Sequence, residues 1–197
     1  ERSGRMIQRA AAEAAVKVVT LELGGKNPLI VCPDADPDEV ANAAIAGMNF
    51  IWQGQSCGST SRLLLHESLY RPVLDRLAAK MAAIRLANPL DGSAQMGPLN
   101  SKTHYDRVMG YVEAGKQEGA TLLTGGRCPP GSEFTCGYWL EPTLFADVRP
   151  DMKIAQEEIF GPVLSALRWR DEEEAVAIAN GTIYGLTASI WTDDLGA

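Results

Sequence analysis

The sequence predicts an α/β fold in which a mainly parallel, twisted sheet carries helices on both faces. Two observations lead to this prediction. Short apolar runs of strand length alternate along the chain with longer segments whose apolar residues recur at helical spacing. Clusters of glycine, proline and polar residues separate these segments. Strands that alternate with helices form βαβ units, and these units build parallel sheets that are buried on both sides.

The alternation of helices and strands begins in the first part of the chain. The Ala-rich segment 5–16 predicts a helix, the β-branched stretch 18–21 a strand, and the apolar stretch 27–32 a second, buried strand. Asp36 is followed by a proline and two acidic residues, which together favour a helix start. We expect that helix to cover residues 37–52 and to deliver the chain into a glycine-flanked turn.

The remaining elements continue the alternation, and no internal repeat is visible. Residues 127–139 are rich in glycine, proline and polar side chains and predict a loop. The further predicted strands are 62–66, 120–124, 140–145, 162–169 and 186–192, and the further predicted helices are 69–86, 101–119 and 172–180.

Composition and charge exclude several classes of protein. With 46% hydrophobic and 22% charged residues over 197 positions, the chain is typical of a globular protein. Its 25 acidic residues outnumber its 18 basic ones, which argues against nucleic acid or an anionic membrane as a partner. No apolar run approaches the roughly 20 residues of a membrane helix, and no signal peptide opens the chain. Because Glu1 is not a start methionine, we expect a segment to precede it in the natural gene.

The cysteines and histidines indicate a reducing, cytoplasmic setting and no metal site. Four cysteines, unevenly spread, are too few for the disulfide framework of a small secreted domain. Cys128 and Cys136 share a loop, and we expect them to be free surface thiols. His66 and His104 are isolated, and no group of cysteines and histidines shows zinc spacing.

Cys57 is the first candidate for chemistry. It lies between Gly54 and Gly58 on the turn that follows the predicted helix 37–52. Glycines let the backbone approach a reacting group closely, and a thiolate on a turn is accessible to an electrophile. The alternative is that Cys57 is a small buried side chain without a chemical duty, as most single cysteines are.

Acidic residues in two other segments are the next candidates. Glu22 closes the predicted strand 18–21, where poor solvation would make its carboxylate a stronger general base. Alternatively, Glu22 faces solvent or pairs with Lys26. In the segment 157–163, an acid followed by Phe160 could hold sugar hydroxyls while the ring packs on a flat heterocycle. A loop-capping acid and a core phenylalanine would explain that segment equally well.

The segments that contain Glu22, Cys57 and Glu158 are more informative when their order and spacing are considered together. Residues 21–28 are Leu-Glu-Leu-Gly-Gly-Lys-Asn-Pro, and residues 50–58 are Phe-Ile-Trp-Gln-Gly-Gln-Ser-Cys-Gly. They resemble the glutamate and cysteine signatures of the aldehyde dehydrogenase superfamily, with Arg62 at the usual distance. Further matches are 96–102, 157–163, Asn180 and 184–186. The resemblance covers residues 4–195.

This resemblance implies a two-stage oxidation of an aldehyde to a carboxylic acid. The Cys57 thiolate would attack the aldehyde to form a thiohemiacetal, whose collapse passes a hydride to the nicotinamide of NAD or NADP and leaves a thioester. Water activated by Glu22 would then hydrolyse the thioester. Glu158 would bind the nicotinamide ribose, Phe160 would pack near the nicotinamide ring, and Leu23 and Gly24 would contribute to the cofactor site.

The resemblance also implies a domain division. Residues 1–25 would be the remnant of a cofactor-binding domain, and residues 26–197 would be the Rossmann-like catalytic domain. Family segments before residue 4 and after Ala197, which supply dinucleotide contacts, an oxyanion-hole amide and subunit contacts, are not in this sequence. The complete enzyme is expected to be a homo-oligomer, dimer or tetramer, acting on a small-molecule aldehyde.

Two other functions remain open at this point. The chain could be a truncated, non-catalytic binding or structural domain, since most of the dinucleotide-binding segment is missing. It could also be a cysteine esterase that uses Cys57 without a nicotinamide. The sequence does not identify the aldehyde or distinguish NAD from NADP, although the bulk of Ile51 and Trp52 indicates a shaped pocket beside Cys57.

Overall fold

A computed structural model describes residues 1–194, so positions 195–197 of the predicted catalytic domain lie outside the described part. The strands are β1 (Pro28–Val31), β2 (Arg62–His66), β3 (Thr121–Thr124), β4 (Thr143–Ala146), β5 (Val163–Trp169) and β6 (Ser189–Trp191). The helices are α1 (Arg2–Ala14), α2 (Pro37–Gly47), α3 (Glu67–Ala82), α4 (Lys102–Gln117), α5 (Lys153–Gln156) and α6 (Glu172–Asn180). None of the described helices is long and apolar enough to cross a membrane.

The strands form one sheet in the order β3-β4-β5-β2-β1-β6. β3 pairs antiparallel with β4, and every other neighbouring pair among these strands is parallel. β2 and β5 lie in the middle, where both of their edges are paired. The sheet is therefore mainly parallel, as the sequence predicts.

Alternate side chains of β2 show how the sheet is covered on both faces. Leu63 and Leu65 belong to a core cluster with residues of α2 and α3, whereas Leu64 belongs to a second cluster with residues of α4 and α6. All three are completely buried. Successive strand residues point to opposite faces, so an unbroken run of leucines is expected where both faces are covered. Each such side chain contributes about 1.5–3 kcal/mol of hydrophobic stabilisation.

The predicted strand at 18–21 is wrong. Residues 15–27 have no regular secondary structure, and Val16 and Val18 are almost completely exposed, at 106% and 98%. A strand needs a neighbouring strand to satisfy its backbone N–H and C=O groups, and no strand of the described residues pairs with this stretch. The β-branched residues alone do not supply that partner.

Two further elements differ from the prediction. α2 ends at Gly47 and does not reach Trp52, because Asn49 adopts a left-handed conformation and the chain continues as a short 3-10 turn, Phe50–Trp52. The four-residue helix α5 was not predicted. The loop containing Cys128 and Cys136 has both thiols free and exposed, as expected.

Candidate active site

Three loops meet at the edge of the sheet where β1, β2 and β5 begin. Gly25 lies shortly before β1, Cys57 before β2 and Glu158 before β5. Because β5, β2 and β1 are parallel neighbours, their amino ends lie side by side. The fold therefore brings together three segments that are far apart in the sequence.

The loop that carries Cys57 has an unusual backbone. Asn49, Gln53 and Gly54 have φ angles of 56°, 56° and 64°, in the left-handed region that disfavours side chains with a Cβ. Gly54 cannot be larger, because a Cβ there would overlap the carbonyl oxygen of Gly161. Cys57 itself is half-buried. Its backbone N–H donates no hydrogen bond to the described residues and is available to a reacting group.

Asn27 fixes the backbone around Cys57. Its side-chain Nδ2 donates to the carbonyl of Cys57 at 2.7 Å and to the carbonyl of Ser59 at 3.0 Å. Its Oδ1 accepts from the backbone N–H of Thr187 at 3.2 Å, on the approach to β6. Asn27 is only 2% exposed, so these bonds are shielded from water. One side chain thus connects the cysteine loop with the start of β1 and of β6.

The two glycines of the glutamate segment allow close contacts that a side chain would block. A Cβ on Gly25 would overlap the carbonyl oxygen of Cys57, and a Cβ on Gly24 would lie 2.9 Å from Glu158 Oε2 and 3.0 Å from the Tyr184 ring. The Gly25 N–H also donates to Glu158 Oε1 at 2.9 Å. The structure thus brings Gly24 and Glu158 together, next to the backbone of Cys57.

Phe160 follows Glu158 in a strained backbone conformation. Its φ of 59° is left-handed, which is uncommon for a residue with a large side chain. The Nε2–H of His104 donates to the Phe160 carbonyl at 2.6 Å, and the two rings meet edge to face with centroids 6.2 Å apart. His104 therefore stabilises the turn that places the half-buried Phe160 beside this site.

Glu22 and Leu23 are not part of a buried strand. Glu22 is exposed, so the expectation that burial would strengthen it as a base is wrong, because strand 18–21 does not form. Leu23 is half-buried and packs towards α1, where a Cβ on Gly4 would lie 2.9 Å from its Cδ2. Glu22 is therefore a solvent-exposed acid three residues before Gly25.

Lys26 and Arg62 are two buried cations at the same edge. Arg62 is 2% exposed and donates from Nε to the Lys26 carbonyl and from its two terminal nitrogens to Ile178 and Ala179, at the carboxyl end of α6. Burial lowers the pKa of Arg62 to about 10. Burial and then the Arg62 charge lower the pKa of Lys26 to about 7. Because Lys26 Nζ has no hydrogen-bond partner among the described residues, Lys26 is not paired with Glu22.

Comparison with known proteins identifies the family to which this arrangement belongs. The model of the aldehyde dehydrogenase family matches residues 1–197, the whole chain. The chain belongs to the aldehyde dehydrogenase family. An aldehyde dehydrogenase of Talaromyces stipitatus is 49% identical over 197 residues, which cover 98% of this chain and 38% of that protein. A betaine aldehyde dehydrogenase of Brucella anthropi is 46% identical over 193 residues, which cover 98% and 39%.

Solved structures of aldehyde dehydrogenases share the fold. An NAD-dependent aldehyde dehydrogenase from Sinorhizobium meliloti is 43% identical with a TM-score of 0.91, and the match covers 98% of this chain and 38% of that one. Betaine aldehyde dehydrogenase from Staphylococcus aureus, in complex with NAD+, is 35% identical with a TM-score of 0.92 over 99% and 38%. The family resemblance and the fold class are therefore confirmed. The chain spans 38–39% of the length of the relatives it matches.

Three contacts of this candidate site could not be predicted from the sequence. Asn27 and Arg62 lie inside or near the two signatures, but their hydrogen bonds to Cys57 and to α6 join residues distant in sequence. His104 has no signal at all in the sequence, since it stands in the first turn of α4 and reaches a residue 56 positions away.

Proposed function

We propose that this chain is the catalytic part of an NAD(P)-dependent aldehyde dehydrogenase that oxidises an aldehyde to a carboxylic acid through Cys57. The observation that carries the proposal is the junction at Gly25, whose N–H binds the Glu158 carboxylate while its α-carbon lies against the Cys57 carbonyl. That junction joins the nucleophile segment, the glutamate segment and the ribose-binding acid in one site. Family membership and the names of the relatives support the reaction class.

The first step is attack by Cys57. The thiolate Sγ forms a bond to the carbonyl carbon of the aldehyde, and the carbonyl π electrons move to the oxygen. The unengaged N–H of Cys57 donates to that oxyanion, and one such donor is typically worth about 2.7–4 kcal/mol. Asn27 holds the carbonyl of the same residue, so the direction of the cysteine backbone is set before substrate arrives.

The residues near Glu158 fit the nicotinamide end of NAD or NADP. Gly24 offers a bare backbone beside a carboxylate that keeps lone pairs for ribose hydroxyls, since Gly25 occupies only one of its oxygens. Phe160 offers an aromatic face next to it. When bound, the cofactor supplies the hydride acceptor that converts the thiohemiacetal into a thioester. The NAD+ complex of the Staphylococcus aureus relative supports this assignment.

Glu22 completes the reaction as the general base. Its exposed carboxylate takes a proton from water, the resulting hydroxide attacks the thioester carbon, and the Cys57 thiolate leaves. An exposed position suits this step, because the water must enter after the first step.

We place the division of the protein at residue 25, with 1–25 belonging to the cofactor-binding domain and 26–197 to the catalytic domain. The exposed Val16 and Val18 support this division, since another part of a longer protein would cover them.

The experiment is acylation of the chain by a limiting amount of an activated ester, read by intact mass and peptide mapping. Wild type is compared with Cys57→Ser and with Cys32→Ser as the matched control. We expect one acyl group, at Cys57, that is lost only in Cys57→Ser and that persists longer in Glu22→Gln. Uniform labelling of all four cysteines would contradict the assignment.

A binding titration with NAD+ and NADP+ separates the dehydrogenase from the cysteine esterase. The dehydrogenase requires that one of the two binds and that binding weakens in Glu158→Ala. The same test is made on a chain extended to the length of its relatives. If that longer chain is acylated at Cys57 but binds neither cofactor, the esterase is favoured. Absence of both acylation and cofactor binding in that longer chain would favour a non-catalytic domain.

A further inference from the structure

Residues 96–107 connect the two backbone turns of the candidate site, and none of them takes part in the chemistry proposed for Cys57. The stretch runs from a loop into the first turns of α4. Met96 packs in one core cluster and Leu99 in the other, and both are buried. Ser101 then caps α4 by accepting the His104 N–H at 3.3 Å. This stretch is therefore fixed to the core before it meets the site.

α4 holds the turn that contains Glu158 and Phe160 by its backbone carbonyls. The His104 Nε2–H donates to the Phe160 carbonyl at 2.6 Å, and Arg107 Nη2 donates to the Glu158 carbonyl at 3.2 Å. The left-handed φ of Phe160 is unfavourable, and such a conformation persists only where the surrounding structure holds it. His104 supplies part of that hold and so fixes the direction in which the Phe160 ring leaves the backbone.

A chain of side-chain amides connects the Cys57 loop with the same stretch. Gln55 Oε1 accepts the backbone N–H of Asn100 at 3.2 Å, one residue before the cap of α4. Gln55 Nε2 donates to Gln53 Oε1 at 2.9 Å, and Gln53 Nε2 donates to the Ile51 carbonyl at 3.1 Å. Gln53 also has a left-handed φ, of 56°. The loop before Cys57 is thus held by hydrogen bonds that end at the start of α4.

The two turns also touch each other and α4. A Cβ on Gly54, in the Cys57 loop, would overlap the carbonyl oxygen of Gly161, which follows Phe160. A Cβ on Gly161 would in turn lie 2.7 Å from Val108 Cγ2, in α4. The cysteine loop, the Phe160 turn and the start of α4 are therefore packed as one unit.

We propose that Gln55 and His104 are positioning residues that hold the Cys57 loop and the Phe160 turn at a fixed distance from each other, with the start of α4 as their common attachment. The inference rests on the proposed function, because hydride transfer requires the group bound at Cys57 and a nicotinamide beside Phe160 to be precisely placed. Acylation of Cys57 requires the cysteine loop alone. The two residues should therefore affect these two reactions differently.

The test of His104 uses a complete enzyme containing this chain and three measurements: acylation of Cys57 by an activated ester without cofactor, formation of reduced cofactor from an aldehyde in a single turnover, and urea unfolding. His104→Leu should slow hydride transfer roughly tenfold or more and leave acylation at the wild-type rate. His104→Gln should restore hydride transfer, because its amide N–H can donate in place of Nε2.

His66→Leu is the matched control for His104→Leu. His66 is also half-buried and also meets an aromatic ring edge to face, that of Trp169 with centroids 4.8 Å apart, but it lies at the carboxyl end of β2. Its loss should leave acylation and hydride transfer at the wild-type rates, whatever stability it costs. A slower hydride transfer in His66→Leu as well would show that the effect is general and would overturn the proposal.

Gln55→Leu should slow acylation and hydride transfer alike, because it frees the loop that carries Cys57. Combined with His104→Leu, it should slow hydride transfer by less than the product of the two single effects, since either loss alone releases the two turns from their common attachment. Single effects that simply multiply would show that the two residues act independently and would overturn the shared role.

The remaining outcomes are equally decisive. Unchanged hydride transfer in His104→Leu, equal losses of acylation and hydride transfer in it, or no rescue by His104→Gln would each overturn the proposal. If His104→Leu does not fold, His104→Asn replaces it, since its shorter side chain keeps an amide but withdraws it from the Phe160 carbonyl. A wild-type enzyme that neither acylates Cys57 nor oxidises an aldehyde would overturn the proposed function itself, and wild type alone shows this.

Discussion

At the carboxyl ends of the parallel strands lies a recess of about 780 Å³, whereas their amino ends carry the Cys57 loop and a smaller cavity of about 290 Å³. Open α/β sheets usually bind ligands at the carboxyl ends. The larger recess follows that rule, and its lining includes five acidic residues. The groups proposed for the chemistry are nevertheless at the amino ends, where left-handed backbone and buried polar side chains accumulate. Recess size alone therefore does not locate the site.

Cys32, at the carboxyl ends of the strands, and Cys57, at their amino ends, also have different surroundings. Cys32 follows β1 at the carboxyl end, where burial and the nearby Asp34 raise the pKa of its thiol. A raised pKa leaves less thiolate and thus a weaker nucleophile near neutral pH. Cys57 precedes β2 at the amino end, on a glycine-flanked turn with an unengaged N–H. The position before a strand, with its backbone held by Asn27, is what distinguishes the candidate nucleophile from an ordinary cysteine.

The largest expected effect is a loss of stability, and it is seen by comparing substitutions of Arg62 and Arg170. Replacing Arg62 by Met removes the donors of two buried carbonyls and one partly buried carbonyl, and should lower the free energy of unfolding by about 3–5 kcal/mol. Arg170, at the carboxyl end of β5, pairs with Glu174 one helical turn away in solvent, so Arg170→Met should leave stability unchanged. Urea unfolding of both variants measures the difference. Similar losses would show that the two ends are equally constrained.

The second prediction compares the stability of two glycine-to-alanine variants, one at the candidate site and one in α4. A Cβ at Gly25 overlaps the Cys57 carbonyl, so Gly25→Ala should cost about 1–3 kcal/mol and reduce acylation of Cys57. Gly110, in α4, has nothing within 4 Å of an added Cβ, and Gly110→Ala should stabilise by about 0.5–1 kcal/mol. Opposite signs in denaturant unfolding are the expected result. A neutral Gly25→Ala with normal acylation would remove the argument for close contact at the junction.

Lys26 makes a pH-dependent prediction. Its pKa is about 7 in the folded chain and 10.5 when unfolded, and the charged groups that face it are Arg62, Glu157 and Glu158. Between these values the unfolded chain binds more protons than the folded chain, so stability rises with pH from about 7 towards 10. The slope is at most about 1.4 kcal/mol per pH unit.

Unfolding at several pH values compares wild type with Lys26→Met and Lys17→Met. The contribution disappears in Lys26→Met and persists in Lys17→Met, because only the first removes the buried ammonium. The unfolding free energy of wild type minus that of Lys26→Met should therefore rise with pH between about 7 and 10. A difference that stays constant over this range would mean that Lys26 titrates as it does in the unfolded chain.

The sequence predicts the interior of this fold better than its edges. β2 and α6 have the predicted bounds, because an unbroken leucine run requires two covered faces and Asp171 caps a helix that begins with three acids. The strand at 18–21 fails because pairing depends on a neighbour, which local composition does not reveal. Because that strand does not form, there is also no reason to expect Glu22 to be buried.

The candidate site followed from the family resemblance and not from local physics. Cys57, Glu22 and Glu158 were each ambiguous alone, since an exposed turn cysteine and a loop acid are common. The hydrogen bonds of Asn27 and His104, and the lack of a hydrogen-bond partner for Lys26 Nζ, could not be predicted. They depend on which way a side chain points after distant elements pack. Such contacts join residues with no local signal, so only the fold reveals them.

The smallest expected effect on stability concerns Trp52, which is 60% exposed at the amino edge of the sheet, on the 3-10 turn that leads to Cys57. Trp52→Ala should change the free energy of unfolding by less than about 0.5 kcal/mol. In a complete enzyme containing this chain, it should shift the kcat/KM ratio between short-chain and aromatic aldehydes by roughly tenfold, since the indole would line the approach to the thiolate.

Val176→Ala is the matched control for Trp52→Ala. Val176 is a comparably exposed apolar residue, at 56%, on the outer surface of α6. Its loss should leave both stability and the ratio of aldehyde rates as they are. If Trp52→Ala also leaves the ratio unchanged, the exposed indole does not contact substrate, and specificity must come from groups outside this segment of the chain. A changed ratio with unchanged stability would place substrate selection on the same strained loop that presents the nucleophile.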